Sequence, residues 1–281
     1  MEKNTEKKKV SLFRILTLLL SVAVFLFAAV QLYGYYREEQ ASSQSQSSLM
    51  QQAVTVMESA PAQTEPAAET GPEETASTED PTLPPISYEI PIRVDFEALR
   101  EEGPDIVAWL YCADTPINNP VVLGEDNEYY VYRLPDGSSN ANGSLFMDYR
   151  NLPDLTDRNT IIYGHNMQSG KMFGTLTKYK NQSYYDQHPV LWLLTPERAY
   201  RIDLIAGMVT PSDSDAYEVF DTDEEFRAHL EMVIQNTTFV SETGIETVNQ
   251  IITLSTCSYE YATARYVLIG ALTPAEYPPE T

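Results

Sequence analysis

Cysteine and histidine are scarce in this chain, with two of the first and three of the second among 281 residues. No pair of them has the spacing of metal ligands, which disfavours a zinc hydrolase. Basic residues are also few, at 18 Lys and Arg against 41 Asp and Glu. Six of the basic and two of the acidic residues lie in positions 1–37, so the remainder carries 12 against 39. A surface of that sign does not hold a nucleic-acid backbone, and DNA or RNA binding is disfavoured. Internal repeats are missing. The acidic clusters Asp213-Ser-Asp215 and Asp221-Thr-Asp-Glu-Glu lack the ordered ligands and glycine of a calcium loop and read as solvated surface. No acid pair of the glycosidase kind stands out.

Long apolar runs are absent but for one. Ile15 to Tyr33 is interrupted only by Thr17, Ser21 and Gln31, about 19 residues, or one bilayer crossing. Lys3, Lys7, Lys8 and Lys9 precede it and Glu38-Glu39 follow. The positive-inside bias therefore places the first residues in the cytoplasm and everything after Arg37 outside. A cleaved signal peptide competes, because Ala28-Ala29 offers small residues, but a signal core is shorter, about 7–15 residues. Residues 1–37 are expected to be a basic tail and signal-anchor of a single-pass cell-membrane protein whose remainder is extracellular. Residues 38–85, rich in Gln, Ser, Ala, Thr, Glu and Pro, have too little apolar surface to repay ordering and are expected to be a disordered tether. Residues 86–273 are long enough to bury a core, and 274–281 form a tail.

Within 86–273, eight apolar or alternating runs are bounded by Pro, Gly, Asn and Asp: Ile106–Tyr111, Val121–Leu123, Ser144–Met147, Thr160–Tyr163, Val190–Leu194, Tyr200–Val209, Gln250–Thr256 and Tyr266–Leu272. They predict a mainly β fold, a closed or nearly closed eight-stranded barrel. Two helices are expected. One starts at Asp95 and stops at Gly103-Pro104; the other starts at Asp223 with Phe226, Leu230 and Val233 on one stripe. The second lies in the connection of about 40 residues before the run that ends in cysteine, and connections that long are more often functional than neutral.

Chemistry concentrates at that cysteine. Cys257 closes Ile251-Ile-Thr-Leu-Ser-Thr-Cys257, and Arg265 opens the next run. A thiolate is the nucleophile available near neutrality, and a neighbouring cation favours it. Arginine cannot serve as a base, but its fixed donors suit a developing oxyanion. Proton transfer then falls to a histidine. His165 ends the run Asn159-Thr-Ile-Ile-Tyr-Gly-His165, where the glycine lets the backbone bend and present the ring. His188 and His229 read as solvated surface residues. Cys112, in Trp-Leu-Tyr-Cys, reads as a buried small hydrophobe. A Cys112–Cys257 disulfide in a non-catalytic surface module is the open alternative for an exported chain with an even cysteine count.

Thr253-Leu-Ser-Thr-Cys257 followed by Arg265 resembles the sortase signature, and Tyr163-Gly-His165 resembles its histidine motif. Gly143-Ser-Leu-Phe-Met-Asp-Tyr-Arg-Asn151, Tyr163-Gly-His-Asn-Met167, the Met172-Phe-Gly-Thr-Leu run and the helix-bearing insertion at about 210–249 resemble class B, over residues 90–272. The resemblance implies a cysteine transpeptidase with a sortase-like barrel; no cofactor and no metal-ligating residues are expected. In it, Cys257 attacks the carbonyl of a threonine in the sorting motif of an exported protein, and His165 protonates the leaving amine. A peptidoglycan stem or cross-bridge amine, or a pilin lysine, then resolves the thioacyl-enzyme. It also implies substrate contacts at Ser255, Tyr163, Tyr217, Asn127 and Val131. Where some relatives have an acid two places after the cysteine, this chain has Tyr259, with Glu260 next, and its cysteine-to-arginine interval is shorter than in some. Two other thiol chemistries compete. An L,D-transpeptidase would place arginine almost directly after the cysteine in a Ser-x-Gly-Cys-x-Arg context missing here, and a thiol protease would need only water to reach the thioester.

Overall fold

All eight runs become strands of one closed barrel. In the computed structural model, which describes residues 12–56 and 90–275, the chain order is α1 (Leu12–Ala53), β1 (Val54–Val56), β2 (Ile92–Val94), α2 (Phe96–Glu102), β3 (Ile106–Tyr111), β4 (Asn118–Leu123), β5 (Leu145–Met147), β6 (Asn159–Tyr163), α3 (Gln182–Gln187), β7 (Val190–Leu194), β8 (Ala199–Pro211), α4 (Asp223–Gln235), β9 (Ile251–Cys257) and β10 (Ala264–Ala275). Short 3₁₀ turns lie at Tyr129–Tyr132, Leu176–Lys180 and Asp215–Tyr217. The barrel runs β10-β8-β7-β3-β4-β5-β6-β9 and closes between β9 and β10. β4 with β5 and β6 with β9 are parallel pairs; the other six are antiparallel.

Alternation along the strands sorts the side chains. In β9, Ile252 and Leu254 join the barrel interior with Ile162, Tyr266 and Leu268. Ile251 points the other way, into a layer with Ile161, Val267 and Ile269 that α4 covers with Phe226, Leu230 and Val233. Covering both faces explains why β9 reads as a nearly continuous apolar run. Burying each of those α4 side chains contributes about 1.5–3 kcal/mol. The helix starts where Thr222 caps it: Thr222 Oγ1 accepts from Glu225 N at 3.2 Å and donates to Glu225 Oε2 at 2.7 Å. Asp95 likewise caps α2, accepting from Glu97 N and Ala98 N, and the helix stops at Gly103 as expected.

The first part of the expected tether is ordered. Residues 38–56 are the end of α1 and all of β1, and they pack on the barrel. Leu49 and Ala53 are buried with Ile92, Leu99 and Trp109. Gln46 donates to Asn118 O at 2.9 Å, Asn140 to Glu38 O at 2.9 Å, and Lys171 pairs with Glu39 at 2.7 Å. β1 then pairs with β2. Few apolar residues are needed because the Gln, Ser and Glu side chains find partners on the barrel wall. Residues 57–85 of the expected tether lie outside the described residues. At the other end, Pro274 and Ala275, expected in the tail, still pair with Tyr200 and Ala199. The stretch of α1 from Phe13 onward is long and apolar enough to cross a membrane, with a mean hydropathy of 2.5 in its most apolar window, none of it buried.

Candidate functional site

The alternation that buries Ile252 and Leu254 turns Ser255 and Cys257 to the outside of the barrel. The ladders then bring their neighbours to the same face. Arg265 is the register partner of Cys257 across β9–β10, and Tyr163 is the partner of Ser255 across β6–β9. All eight side chains named from the sequence, Asn127, Val131, Tyr163, His165, Tyr217, Ser255, Cys257 and Arg265, line one cleft of ≈ 330 Å³. Phe146, Gly164, Ser212 and Thr256 complete it.

Cys257 is a free thiol, half-buried at the strand end. Cys112 is also free and fully buried, and the disulfide alternative does not describe this fold. Burial pushes the Cys112 thiol above its usual range.

Two contacts hold the histidine segment against the cysteine strand. Asn166 Nδ2 donates to Cys257 O at 2.8 Å, and Thr256 Oγ1 donates to Gly164 O at 2.8 Å. His165 Nε2 lies 2.8 Å from Val131 O. A carbonyl only accepts, so this nitrogen carries the proton and Nδ1 is left for exchange. Gly164 serves differently from the expectation. Its φ is not in the left-handed region; a Cβ there would instead run into the Leu145 side chain and stand 2.7 Å from Phe173 Cδ2. It is the close packing behind the strand, and not a bend, that requires glycine.

The walls of the cleft are aromatic. Tyr163 stacks on Tyr217 at 5.9 Å and tilts against Phe146 at 5.3 Å. Tyr217 OH meets Ser255 Oγ at 2.9 Å. Burial raises the Tyr217 hydroxyl pKa, while Ser255 and then Arg265 oppose the shift. The phenol stays neutral at physiological pH.

Behind this wall lies a residue with no role among the sequence expectations. Asp148, with no exposed side-chain surface, accepts from Arg150 Nε (2.9 Å) and Nη2 (3.0 Å), Asn127 Nδ2 (3.0 Å) and Tyr163 OH (2.8 Å). Arg150 Nη2 also donates to Tyr217 O at 2.8 Å. One carboxylate thus fixes three lining residues, two directly and Tyr217 through the guanidinium. Burial alone would raise the pKa of Asp148, but its bonds from Arg150 and Tyr163 outweigh that and hold it below the ordinary carboxylate range. The signal was available: an acid immediately after the buried strand β5, with arginine two places on, departs from a surface turn.

His188, in the cap of α3, is partly exposed. His229 corrects the expectation of a solvated ring, because it is buried on the apolar side of α4. Glu260 pairs with Lys180 and accepts from Ser258 Oγ, and Lys180 first, then Ser258, hold its pKa down at about 2. That carboxylate clamps the β9–β10 loop.

A sortase-domain family model matches residues 120–273, more than half of the chain. The chain belongs to the sortase family. Its curated relatives place it in class B: sortase B of Listeria monocytogenes is 34% identical over 184 residues, covering 64% of this chain and 75% of the relative. The fold agrees. A Staphylococcus aureus sortase B–substrate complex is similar with a TM-score of 0.61 at 28% identity, covering 64% of this chain and 84% of that one. A sortase B of Bacillus anthracis is similar with a TM-score of 0.65 at 28% identity, covering 86% of this chain and 99% of that one. The chain is therefore a transpeptidase of the sortase B family.

Proposed function

We propose that this sortase cleaves a C-terminal sorting motif after threonine through a thioacyl bond to Cys257 and passes the acyl group to an amine. The convergence of a free thiol, an imidazole and a guanidinium in one cleft, from three separate segments of chain, carries this reading. Cys257 Sγ attacks the threonine carbonyl carbon. Arg265, opposite it in the ladder, donates to the oxygen as negative charge develops there. His165 protonates the departing amine, and the C–N bond breaks as the thioester forms. The incoming amine gives a proton back as it forms the new amide and frees the thiol.

Tyr163, Tyr217, Ser255, Asn127 and Val131 hold the motif along the aromatic wall. A Staphylococcus aureus sortase B of the same fold forms a complex with a substrate, which supports substrate binding by this fold. The acceptor is an amine of a peptidoglycan stem or cross-bridge, or a pilin lysine. α1 anchors the enzyme as a single pass with the barrel outside the cell.

Incubating the chain with sorting peptides of the Asn-Pro-x-Thr-Asn and Pro-x-Thr-Gly types, with and without a free amine, tests the reading. The expected products are a cut after threonine and an amide to the added amine. Hydrolysis alone in the presence of amine would make the enzyme a thiol protease. Unchanged cleavage by Cys257→Ala would remove the thiol from the mechanism.

A further inference from the structure

Glu39 of α1, just past the apolar run, divides its two oxygens between two segments of the barrel. Oε1 accepts from Lys171 Nζ at 2.7 Å, and Oε2 accepts from Asn142 Nδ2 at 3.2 Å. Lys171 Nζ also donates to Ser43 Oγ, one turn along the helix, at 2.5 Å. Asn140 Nδ2 donates to Glu38 O at 2.9 Å. The ion pair is partly shielded, with side-chain exposures of 37% for Lys171 and 21% for Glu39. Over residues 38–46 the helix meets the barrel through polar bonds of this kind, and its buried apolar residues, Leu49 and Ala53, come later.

The two segments meet at His165. Asn142 belongs to a turn laced to the backbone of residues 130–133: Asn140 N donates to Tyr132 O at 3.0 Å, Ser144 N to Tyr130 O at 3.1 Å and Ser144 Oγ to Arg133 O at 2.8 Å. Within that stretch Val131 O accepts from His165 Nε2. Lys171 belongs to the loop that follows His165 in the chain. Met167 N and Phe173 N both donate to His165 O, at 3.1 and 3.2 Å, and Gly174 N donates to Lys171 O at 2.9 Å. One carboxylate on α1 therefore ties the segment that orients the ring to the segment that carries it.

We propose that Glu39 is a positioning residue for His165: by joining Lys171 to Asn142 it holds the imidazole in place within the cleft. Glu39 is not among the residues that line that cleft, so it acts through the histidine and not on the peptide. The membrane-proximal helix is thereby part of the catalytic scaffold. The proposal rests on His165 as the proton carrier.

Glu39→Ala tests it, because it removes both bonds and keeps a good helix former in α1. In the full chain in detergent, with whichever sorting peptide of the two types above is cleaved faster, kcat should fall about tenfold while KM holds, since a displaced catalytic group costs rate and the peptide wall is untouched. Glu39→Lys should lower kcat further, and the swap E39K/K171E should recover most of the loss, because the pair is restored with its sign reversed and the Asn142 amide can accept as well as donate. In a chain carrying ¹⁵N-histidine, the ring signal assigned to His165 by its absence in His165→Ala should shift or broaden in Glu39→Ala, with those of His188 and His229 unmoved. A lower melting temperature with kcat kept at low temperature, or an unmoved His165 signal, overturns the proposal. A moved signal with undiminished kcat in both Glu39→Ala and His165→Ala would overturn the role of His165 as proton carrier, and the proposal with it.

Discussion

Arg265 stands directly across the β9–β10 ladder from Cys257, and its guanidinium donates to the Ala264 carbonyl at 3.2 Å. Strand pairing, not loop geometry, therefore sets the distance between the Cys257 thiol and the guanidinium. Arg265→Ala should lower kcat/KM for a sorting peptide by about 10²-fold or more, as loss of an oxyanion donor does. The melting temperature should hardly move, because that side chain carries little of the packing. Steady-state cleavage and a thermal melt on the same preparation check both halves.

Asp148→Asn removes the charge that holds Arg150 and weakens its grip on Asn127 and Tyr163. A cost of about 2 kcal/mol is expected, less than for a fully buried pair because Arg150 is 40% exposed. KM for the peptide should rise more than kcat falls, since the lining residues are displaced and the thiol is not. A kcat loss with unchanged KM would place Asp148 in the chemistry instead.

Gly143 has φ +61°, and a Cβ there would overlap Val131 O and come within 2.8 Å of Tyr130 O. Val131 O is the partner of His165 Nε2. Gly143→Ala should therefore lower stability by about 1–3 kcal/mol and also lower activity, by shifting the carbonyl that orients the imidazole. A variant that loses stability but keeps full activity at low temperature would break this link.

Stability should fall on mild acidification through His229. Its folded pKa of about 4 lies below the ordinary value of 6.5, so the unfolded chain binds the extra proton between those values. Its contribution is complete above about pH 6.5 and is lost as pH drops toward 4, by about 3 kcal/mol in all. Chemical denaturation at pH 7, 5.5 and 4.5 should show that slope, and His229→Phe should flatten it. Asp148 acts lower: its depressed pKa gives stability above the ordinary carboxylate range that is lost only as pH falls further.

Thiol titration should find two reactive groups per chain. Cys257 should react in the native state, and Cys112, 1% exposed with its thiol pushed up by burial, only after denaturation. Fewer than two thiols in the denatured chain would restore the disulfide alternative.

What was legible in the sequence follows from what each signal depends on. The eight strands could be read because each buries at least one face and so alternates or runs apolar. Cys257, His165 and Arg265 could be picked out as candidates because they sit at or next to strand ends, and the fold brings them into one cleft. Asp148 was not given a role, because its partners Arg150, Asn127 and Tyr163 come from three different places and only the fold brings them onto one carboxylate. His229 was misread because the acidic residues around it on α4 suggested water, whereas its stripe with Phe226, Leu230 and Val233 decided its fate. Residues 38–53 were misread because a Gln- and Ser-rich helix that docks through side-chain bonds to a barrel wall lacks the apolar count of a core element.

The unbroken course of α1 has a mechanical consequence. With its apolar half in the bilayer, as proposed, the barrel rides on a stiff post and not on a leash: from Tyr36 to Ala53 the helix rises roughly 27 Å at about 1.5 Å per residue. The catalytic cleft is then held at one height, with little freedom to search the wall above it. Such an enzyme cannot go out to its clients; exported chains must present their sorting segments close to the lipid surface, and the acceptor amine must come down to meet them there.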